Sequence, residues 1–181
     1  HQHTEIELAK ALGASVGDLV AMRHIEASHS YLEVLRDETE SADIVIASHH
    51  YLYPAIRLVY RGPLVYESHN VEADMKCAVL GKPPSRKLER EAMYKDAQKE
   101  AELSSAEDWL LYNQRIEQNC AEDAVLVSAC SEEDGQRLRI LYDLPPEKCV
   151  ILPNGVDMGC VVYSDAEERL RYQQRQNLGG T

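Results

Sequence analysis

Ile44-Val45-Ile46-Ala47-Ser48-His49 is a short apolar run that ends in polar residues. Three later runs have the same form, at residues 64–66, 124–127 and 150–152. They are rich in β-branched residues, continuous rather than alternating, and too short to form helices. These properties are typical of parallel strands that are buried on both faces.

Helix-like stretches separate these runs, at residues 54–60, 71–80, 86–120 and 132–141. Strands that alternate with helices predict an α/β fold with an open parallel sheet flanked by helices. Ser131 is expected to cap the last of these helices, with Asp134 at its third position. A break is expected near Ser104-Ser105. Nearer the amino terminus we expect a helix at residues 6–12, a strand at 19–22 and a helix at 25–40.

The composition excludes several classes of protein. The chain has 181 residues, is 44% hydrophobic, and carries 19 Lys and Arg against 31 Asp and Glu, a net charge of −12. Such a charge repels phosphate backbones, so we expect no nucleic-acid partner, and no run is apolar enough for a transmembrane segment. The five cysteines include no C-x-x-C pair, which argues against a zinc ribbon or a disulfide framework and favours reduced thiols in a cytosolic protein, with Cys77 and Cys130 in the core.

Polar residues follow each predicted strand, where parallel α/β sheets gather their ligands. Three of the seven histidines lie there: His49 and His50 after the first strand, and His69 after the second. His69 is either a site residue or a buried histidine that holds a loop. His49 and His50 are either site or surface-turn residues, and as neighbours in an extended segment they point to opposite faces, so one site is not expected to use both.

Other kinds of chemistry have weaker signals. A metal site would need one of the paired histidines, His69 and a carboxylate to converge, which the spacing does not suggest, so we expect no metal. The chain contains neither of the glycine-rich phosphate-binding motifs and no G-x-S-x-G nucleophile elbow.

Four stretches resemble, in order and spacing, the motifs of a known family. They are Ala42-Asp43-Ile44-Val45-Ile46-Ala47-Ser48-His49, Val65-Tyr66-Glu67-Ser68-His69-Asn70-Val71-Glu72, residues 121–132, and Val150-Ile151-Leu152 followed by Pro153-Asn154-Gly155-Val156-Asp157. Together they resemble retaining glycosyltransferases of family 4, which have the GT-B fold of two Rossmann-like domains. The chain is similar to most of the N-terminal domain and the start of the C-terminal one.

This resemblance implies an enzyme of polysaccharide or glycolipid assembly that moves a sugar from a nucleotide-sugar donor to a saccharide or lipid-linked acceptor, with retention and without a metal or other cofactor. It implies that His69 is the catalytic residue facing the reacting centre, where a neutral imidazole would donate to a sugar hydroxyl. The acceptor-binding residues would be His49, His50, Tyr51 and Asn70, and the hinge and cleft would include Ser131, Asn154 and Gly155. Residues 1–153 would form a partial acceptor-side Rossmann-like domain, and residues 154–181 the hinge and the start of a truncated donor-binding domain.

The sequence also departs from the family pattern. The family's first strand with its glycine-rich loop and the paired glutamates of its donor site are missing, so we expect an incomplete N-terminal half of a GT-B fold. Such a fragment would be inactive alone and would self-associate through an exposed sheet edge. The full-length parent would be a cytoplasmic hexosyltransferase; peripheral membrane association stays open, although the acidic balance argues against tight binding. Two alternatives stay open: a nucleotide-sugar epimerase of the same architecture, and a non-catalytic Rossmann-like binding or interaction module.

Overall fold

Helices and strands alternate along the chain. The structure, a computed structural model, describes residues 16–88 and 105–155, together with residues 5, 6, 9, 10, 13, 165, 167, 168 and 171. The helices are α1 Gly17–Arg23, α2 His29–Thr39, α3 Tyr53–Val59, α4 Glu72–Val79, α5 Ala106–Asp123 and α6 Glu132–Tyr142. The strands are β1 Val45–Ser48, β2 Leu64–Ser68, β3 Leu126–Ala129 and β4 Cys149–Ile151, and short 3₁₀ helices span Ile25–Ala27, His50–Leu52 and Pro146–Lys148.

The described strands form one parallel sheet in the order β1-β2-β3-β4. Ala47 lies beside Tyr66 and Ser48 beside Glu67, and Glu67 in turn lies beside Ser128. Each crossover between neighbouring strands contains a helix, as parallel pairing requires. The predicted α/β class, with an open parallel sheet flanked by helices, is therefore confirmed.

The core lies against one face of this sheet. Along β2, Leu64, Tyr66 and Ser68 are buried, whereas Val65 and Glu67 are only partly buried. Leu138 and Leu141 of α6 pack in the same apolar cluster as Leu64 and Tyr66. Burying each leucine side chain stabilises the fold by roughly 2 kcal/mol.

Burial of the strands on both faces is not observed in the described residues. Ile46 of β1 is 59% exposed, and Ile44 just before the strand is exposed as well. The continuous apolar run therefore correctly predicted a parallel strand, but its prediction that both faces of the strand are buried was wrong. β1 is at an edge of the described sheet, where fewer elements are available to pack over it.

The strand predicted for residues 19–22 is wrong, because these residues lie within α1. Leu19, Val20 and Met22 are buried in a second apolar cluster that also contains Trp109 of α5. A run of four apolar residues fits a buried helix as well as a strand, and its length alone does not separate the two.

The described part of the long predicted helix, at residues 106–120, is helical and belongs to α5. Residues 86–88 are not helical, and α5 begins after Ser105, near the predicted break. The Ser105 hydroxyl accepts from the Asp108 N–H, and the Asp108 carboxylate accepts from the Ser105 N–H, which completes a capping box. The helix predicted for residues 25–40 is split into a 3₁₀ helix and α2. Residues 89–104, much of the predicted helix at 6–12, and most of residues 156–181 lie outside the described part.

Candidate functional site

The carboxyl ends of β1 and β2 bring two polar side chains together. Ser48 and Glu67 are partners in the parallel register, so their side chains leave the same face of the sheet side by side. The Ser48 hydroxyl donates to Glu67 Oε2 across 2.5 Å. This pair forms the floor of the candidate site.

The His69 side chain, which comes from the loop that follows β2, lies next to this pair. Its Nε2 atom lies 3.1 Å from Ser48 Oγ and 3.7 Å from Glu67 Oε2. The side chain is 38% exposed, so the ring is held from one side and open to solvent on another. Of the two interpretations of His69, the site residue fits this placement better than the buried histidine.

An aromatic stack continues from His69. The His49 ring stacks on His69 with centroids 4.4 Å apart and on Tyr51 with centroids 4.8 Å apart. His49 holds this place at a φ of 90° and a ψ of 143°, a conformation that is almost confined to glycine and costs on the order of 1–3 kcal/mol. Strained backbone of this kind clusters at functional sites, which favours a role for His49 beyond packing.

Burial lowers the pKa of His49, and the neighbouring His69 ring lowers it further. The carboxylates of Glu72 and Glu67 act in the opposite direction, and Glu72 Oε1 lies 3.8 Å from His49 Nδ1. His49 is therefore held towards the neutral form, which suits a ring that stacks on another histidine.

His50 is not part of this stack, although its ring meets the ring of Tyr51 edge-on with centroids 5.7 Å apart. It is fully buried, and its Nε2 atom lies 2.8 Å from Asn113 Oδ1 of α5. Burial lowers the pKa of His50 to about 4. The position does not support the predicted acceptor contact, because a side chain without accessible surface cannot touch a ligand. Adjacent residues do point to different surroundings, as the sequence indicated, and His49 is the one at the site.

The remaining predicted residues lie at the same edge of the sheet but not in the stack. Asn70 is exposed, and its amide donates to Glu72 Oε1 across 3.3 Å. Ser131 caps α6, where its hydroxyl accepts from the Asp134 N–H at 3.1 Å, which confirms the predicted cap. Asn154 and Gly155 are exposed after β4.

Cys130 links two strand ends rather than lying in the core. It is only partly buried, and its Sγ atom lies 3.6 Å from both the Ser68 carbonyl oxygen and Asn154 Oδ1. Cys77 is buried, as predicted. The contact with Asn154 brings the predicted hinge segment against the end of β3.

Glu117 of α5 secures the start of α4, the helix that carries Glu72. Its fully buried carboxylate accepts from the Glu72 and Ala73 N–H groups at 2.9 and 2.8 Å. It also accepts from the hydroxyls of Tyr66 and Tyr142 at 3.0 and 2.6 Å. Burial raises the pKa of Glu117, and these hydrogen bonds act against the rise. A carboxylate at a helix N-terminus is favoured by the exposed N–H groups there.

Sequence analysis counted Ser48 and Glu67 among the polar residues that follow strands but gave them no role in sugar transfer, and it did not single out Glu117. Ser48 and Glu67 did carry a signal, since each lies within two residues of a predicted histidine at a strand end. Their pairing depends on the register of β1 against β2, which neither segment specifies alone. Glu117 carried no signal, because its charge predicts a solvated helix face.

A groove of about 810 Å³ opens at the opposite edge of the sheet, beside Arg57, Pro63 and Val125. Arg57 and Asp123 form an ion pair there, and Pro63 and Val125 precede strands rather than follow them. We assign the candidate site to the carboxyl edge, because its polar side chains converge there and because α/β sheets bind ligands there.

Two features are not found in the described residues. No three His, Cys, Asp or Glu side chains there form a group that could hold a metal ion. No helix among them has the length and apolar character needed to cross a membrane.

Comparison with known proteins identifies the family of the chain. The family model described as Glycosyltransferase Family 4 matches residues 19–159, a range that includes the whole described sheet and the candidate site. Comparison with curated proteins finds no match. The open parallel sheet flanked by helices is what a Rossmann-like half of a GT-B fold requires. Since the family match covers most of its length, this chain belongs to glycosyltransferase family 4.

Proposed function

We propose that this chain is the acceptor-side part of a retaining glycosyltransferase that moves a sugar from a nucleotide-sugar donor to a saccharide or lipid-linked acceptor. Glycosyltransferase function follows from the family. The proposal is supported above all by the convergence of His69, Ser48 and Glu67 at the carboxyl edge of the sheet. Sugars are recognised through hydroxyl groups, and this edge supplies polar atoms held in place by their neighbours.

In this proposal His69 contacts the substrate. Its ring is partly exposed and is held by Ser48 below and by His49 beside it. Asn70, which follows directly and is exposed, binds the acceptor. Tyr51 and His49 support the ring of His69 through the stack. No metal or other cofactor takes part, so a chelator is expected to leave the transfer rate unchanged.

In the proposed enzyme this chain binds the acceptor and another domain binds the donor. The donor is bound mainly by a second domain that begins at the hinge around Asn154 and Gly155. The parent enzyme acts in the cytoplasm, with peripheral association at membranes where the acceptor is lipid-linked. The net charge of −12 weakens attraction to anionic lipid, so this association depends on the other domain.

The test is an assay of the full-length protein that follows release of nucleotide from a panel of nucleotide sugars, with and without a pool of glycan and glycolipid acceptors. We expect acceptor-dependent release, and we expect His69→Ala to reduce kcat/KM by roughly 100-fold, the size of a lost positioned polar group. His29→Ala is the matched control, because His29 is exposed at the start of α2.

The outcomes separate clearly. If the full-length protein releases no nucleotide from any donor, the proposed activity is wrong. If transfer occurs but His69→Ala behaves like His29→Ala, the enzyme class stands and the assignment of His69 is wrong. An anomeric analysis of the product by NMR decides between retention and inversion.

A further inference from the structure

We infer that Ser48 and Glu67 are positioning residues, which hold His69 as the tautomer protonated at Nε2 so that Nδ1 accepts a hydrogen bond from a substrate hydroxyl. This inference rests on the proposed function for its substrate. It reverses the expectation that the imidazole donates to the sugar. It is carried by the chain of contacts Glu67–Ser48–His69.

The direction of the first hydrogen bond follows from the chemistry of its partners. A serine hydroxyl has one proton, and an ionised carboxylate can only accept. With Ser48 Oγ and Glu67 Oε2 2.5 Å apart, the Ser48 proton lies on the line to Glu67. The parallel register holds the two residues opposite each other, so this bond is part of the sheet architecture.

The direction of the hydrogen bond between Ser48 and His69 follows from the first one. Ser48 Oγ has no proton left for His69 and can only accept from Nε2, which lies 3.1 Å away. In a neutral imidazole one nitrogen carries the proton and the other the lone pair, so the lone pair is at Nδ1. The negative charge of Glu67, with Oε2 3.7 Å from Nε2, favours the same tautomer.

The stack and the bond to Ser48 together fix the orientation of the ring. The His49 and His69 planes differ by 20° with centroids 4.4 Å apart, so the stack fixes the plane of the His69 ring. A half-turn about the Cβ–Cγ bond would keep this plane but place a ring carbon where Nε2 lies, so the bond to Ser48 selects the orientation. The stack thus holds a face of the ring, and the bond to Ser48 holds its Nε2 edge towards the protein. The other edge presents Nδ1.

This arrangement selects the group that binds. A lone pair at Nδ1 attracts an O–H donor and repels a phosphate oxygen, and the nearby carboxylates of Glu67 and Glu72 repel phosphate as well. The group recognised by His69 is therefore a sugar hydroxyl and not a phosphate of the nucleotide.

The kinetic test uses full-length protein and three variants. Ser48→Ala removes the link and is expected to reduce kcat roughly 10-fold, the effect of one hydrogen bond to a charged network, while KM changes far less. Ser48→Thr keeps the hydroxyl on a strand-compatible side chain and is expected to retain most of the activity. Glu67→Gln keeps an accepting oxygen but removes the charge, so its kcat is expected to fall between these two. Glu38→Gln is the control, because Glu38 is exposed in the last turn of α2, which leads into the amino end of β1.

The structural test is independent of activity. Histidine-selective ¹⁵N labelling of full-length protein, at mildly alkaline pH, reports the tautomer of each ring, and His69→Gln identifies the His69 signals by their loss. We expect His69 to be protonated at Nε2 in the unmodified protein and in Ser48→Thr, and to become a mixture of tautomers in Ser48→Ala. If Ser48→Ala does not fold, Glu67→Gln serves in its place and is expected to show a partial shift.

Each result bears on one claim. An Nδ1-protonated His69, or a tautomer and kcat unchanged in both Ser48→Ala and Glu67→Gln, overturns the positioning role even if transfer activity is present. If no donor is turned over, the proposed function fails, and the NMR spectra alone decide whether Ser48 and Glu67 hold the ring.

Discussion

At the scale of single residues, two adjacent histidines have opposite environments. His49 lies in the stack at the carboxyl edge, in a backbone conformation that side chains rarely adopt. His50 begins a 3₁₀ helix and is fully buried against Asn113. Among the described residues, the Nδ1 atom of His50 has no hydrogen-bond partner. Protonating that atom would bury a donor without an acceptor, so the fold favours the neutral ring.

The buried ring makes stability depend on pH. Burial lowers the pKa of His50 from 6.5 to about 4, so between these values the unfolded chain binds a proton that the folded chain does not. The stabilisation is complete above the unfolded pKa and is lost as the pH falls towards the folded one, by about 3 kcal/mol in total. His50→Gln, which can still donate to Asn113, is expected to remove this part of the pH dependence in urea unfolding curves. His29→Gln, at an exposed position, is expected to keep this pH dependence. If the free energy of unfolding of His50→Gln varies with pH as it does in the unmodified chain, His50 is not its source.

At the scale of elements, an ion pair ties α4 to α6 and to the loop after α4. Arg137 Nε and Nη2 donate to Asp74 at 2.6 and 3.0 Å, and Asp74 Oδ1 accepts from the Ser85 N–H at 2.7 Å. Arg137 also donates to the Ser85 carbonyl oxygen at 2.5 Å. Burial acts to raise the pKa of Asp74, but these hydrogen bonds outweigh it and lower the pKa. Both backbone groups of Ser85, its N–H and its carbonyl oxygen, are therefore hydrogen-bonded, and these bonds hold the loop in place.

Asp74→Ala is expected to loosen this loop. The pair is partly exposed and screened by solvent, so the expected loss in the free energy of unfolding at neutral pH is only about 1 kcal/mol. The sharper measurement is hydrogen exchange of the Ser85 amide, which is expected to become faster because its acceptor is gone. Lys82→Ala breaks an exposed ion pair with Glu107 near the same loop and is the control. Equal exchange at Ser85 in both variants would show that Asp74 does not hold the loop.

At the scale of the whole molecule, the described sheet is covered unevenly. The core clusters on one face, whereas β1 lies at an edge and exposes Ile46. An edge strand has unpaired backbone groups, and apolar side chains beside them favour pairing with another chain. Self-association of the chain remains a prediction from this arrangement.

Ile46→Lys is expected to shift the chain of residues 1–181 towards the monomer in sedimentation velocity at micromolar concentration, because a charge on an edge strand opposes pairing. Ile140→Lys is the matched control, since Ile140 is 67% exposed on α6 while Ile46 is 59% exposed on β1. If both variants, or neither, reduce association, the β1 edge is not the surface that mediates it.

Much of the architecture was predictable because it depends on local pattern. The run at residues 44–47 predicted a strand and β1 spans Val45–Ser48, and the cap at Ser131 was identified with its partner Asp134. Where the pattern was ambiguous the prediction was wrong: residues 19–22 are helical, and three of them, Leu19, Val20 and Met22, lie in one cluster with Trp109, which is far away in sequence. The domain boundary predicted after residue 153 stays a prediction.

The sequence by itself determined the alternation of strands and helices, and it placed His49 and His69 at strand ends, because apolar runs and turn residues act over a few neighbours. The tertiary structure decided which of these side chains meet. Ser48 pairs with Glu67 through the register of two strands, and His50 turns into the core while His49 turns to the stack. Such contacts join residues distant in sequence, and their geometry depends on packing and register that no single segment encodes.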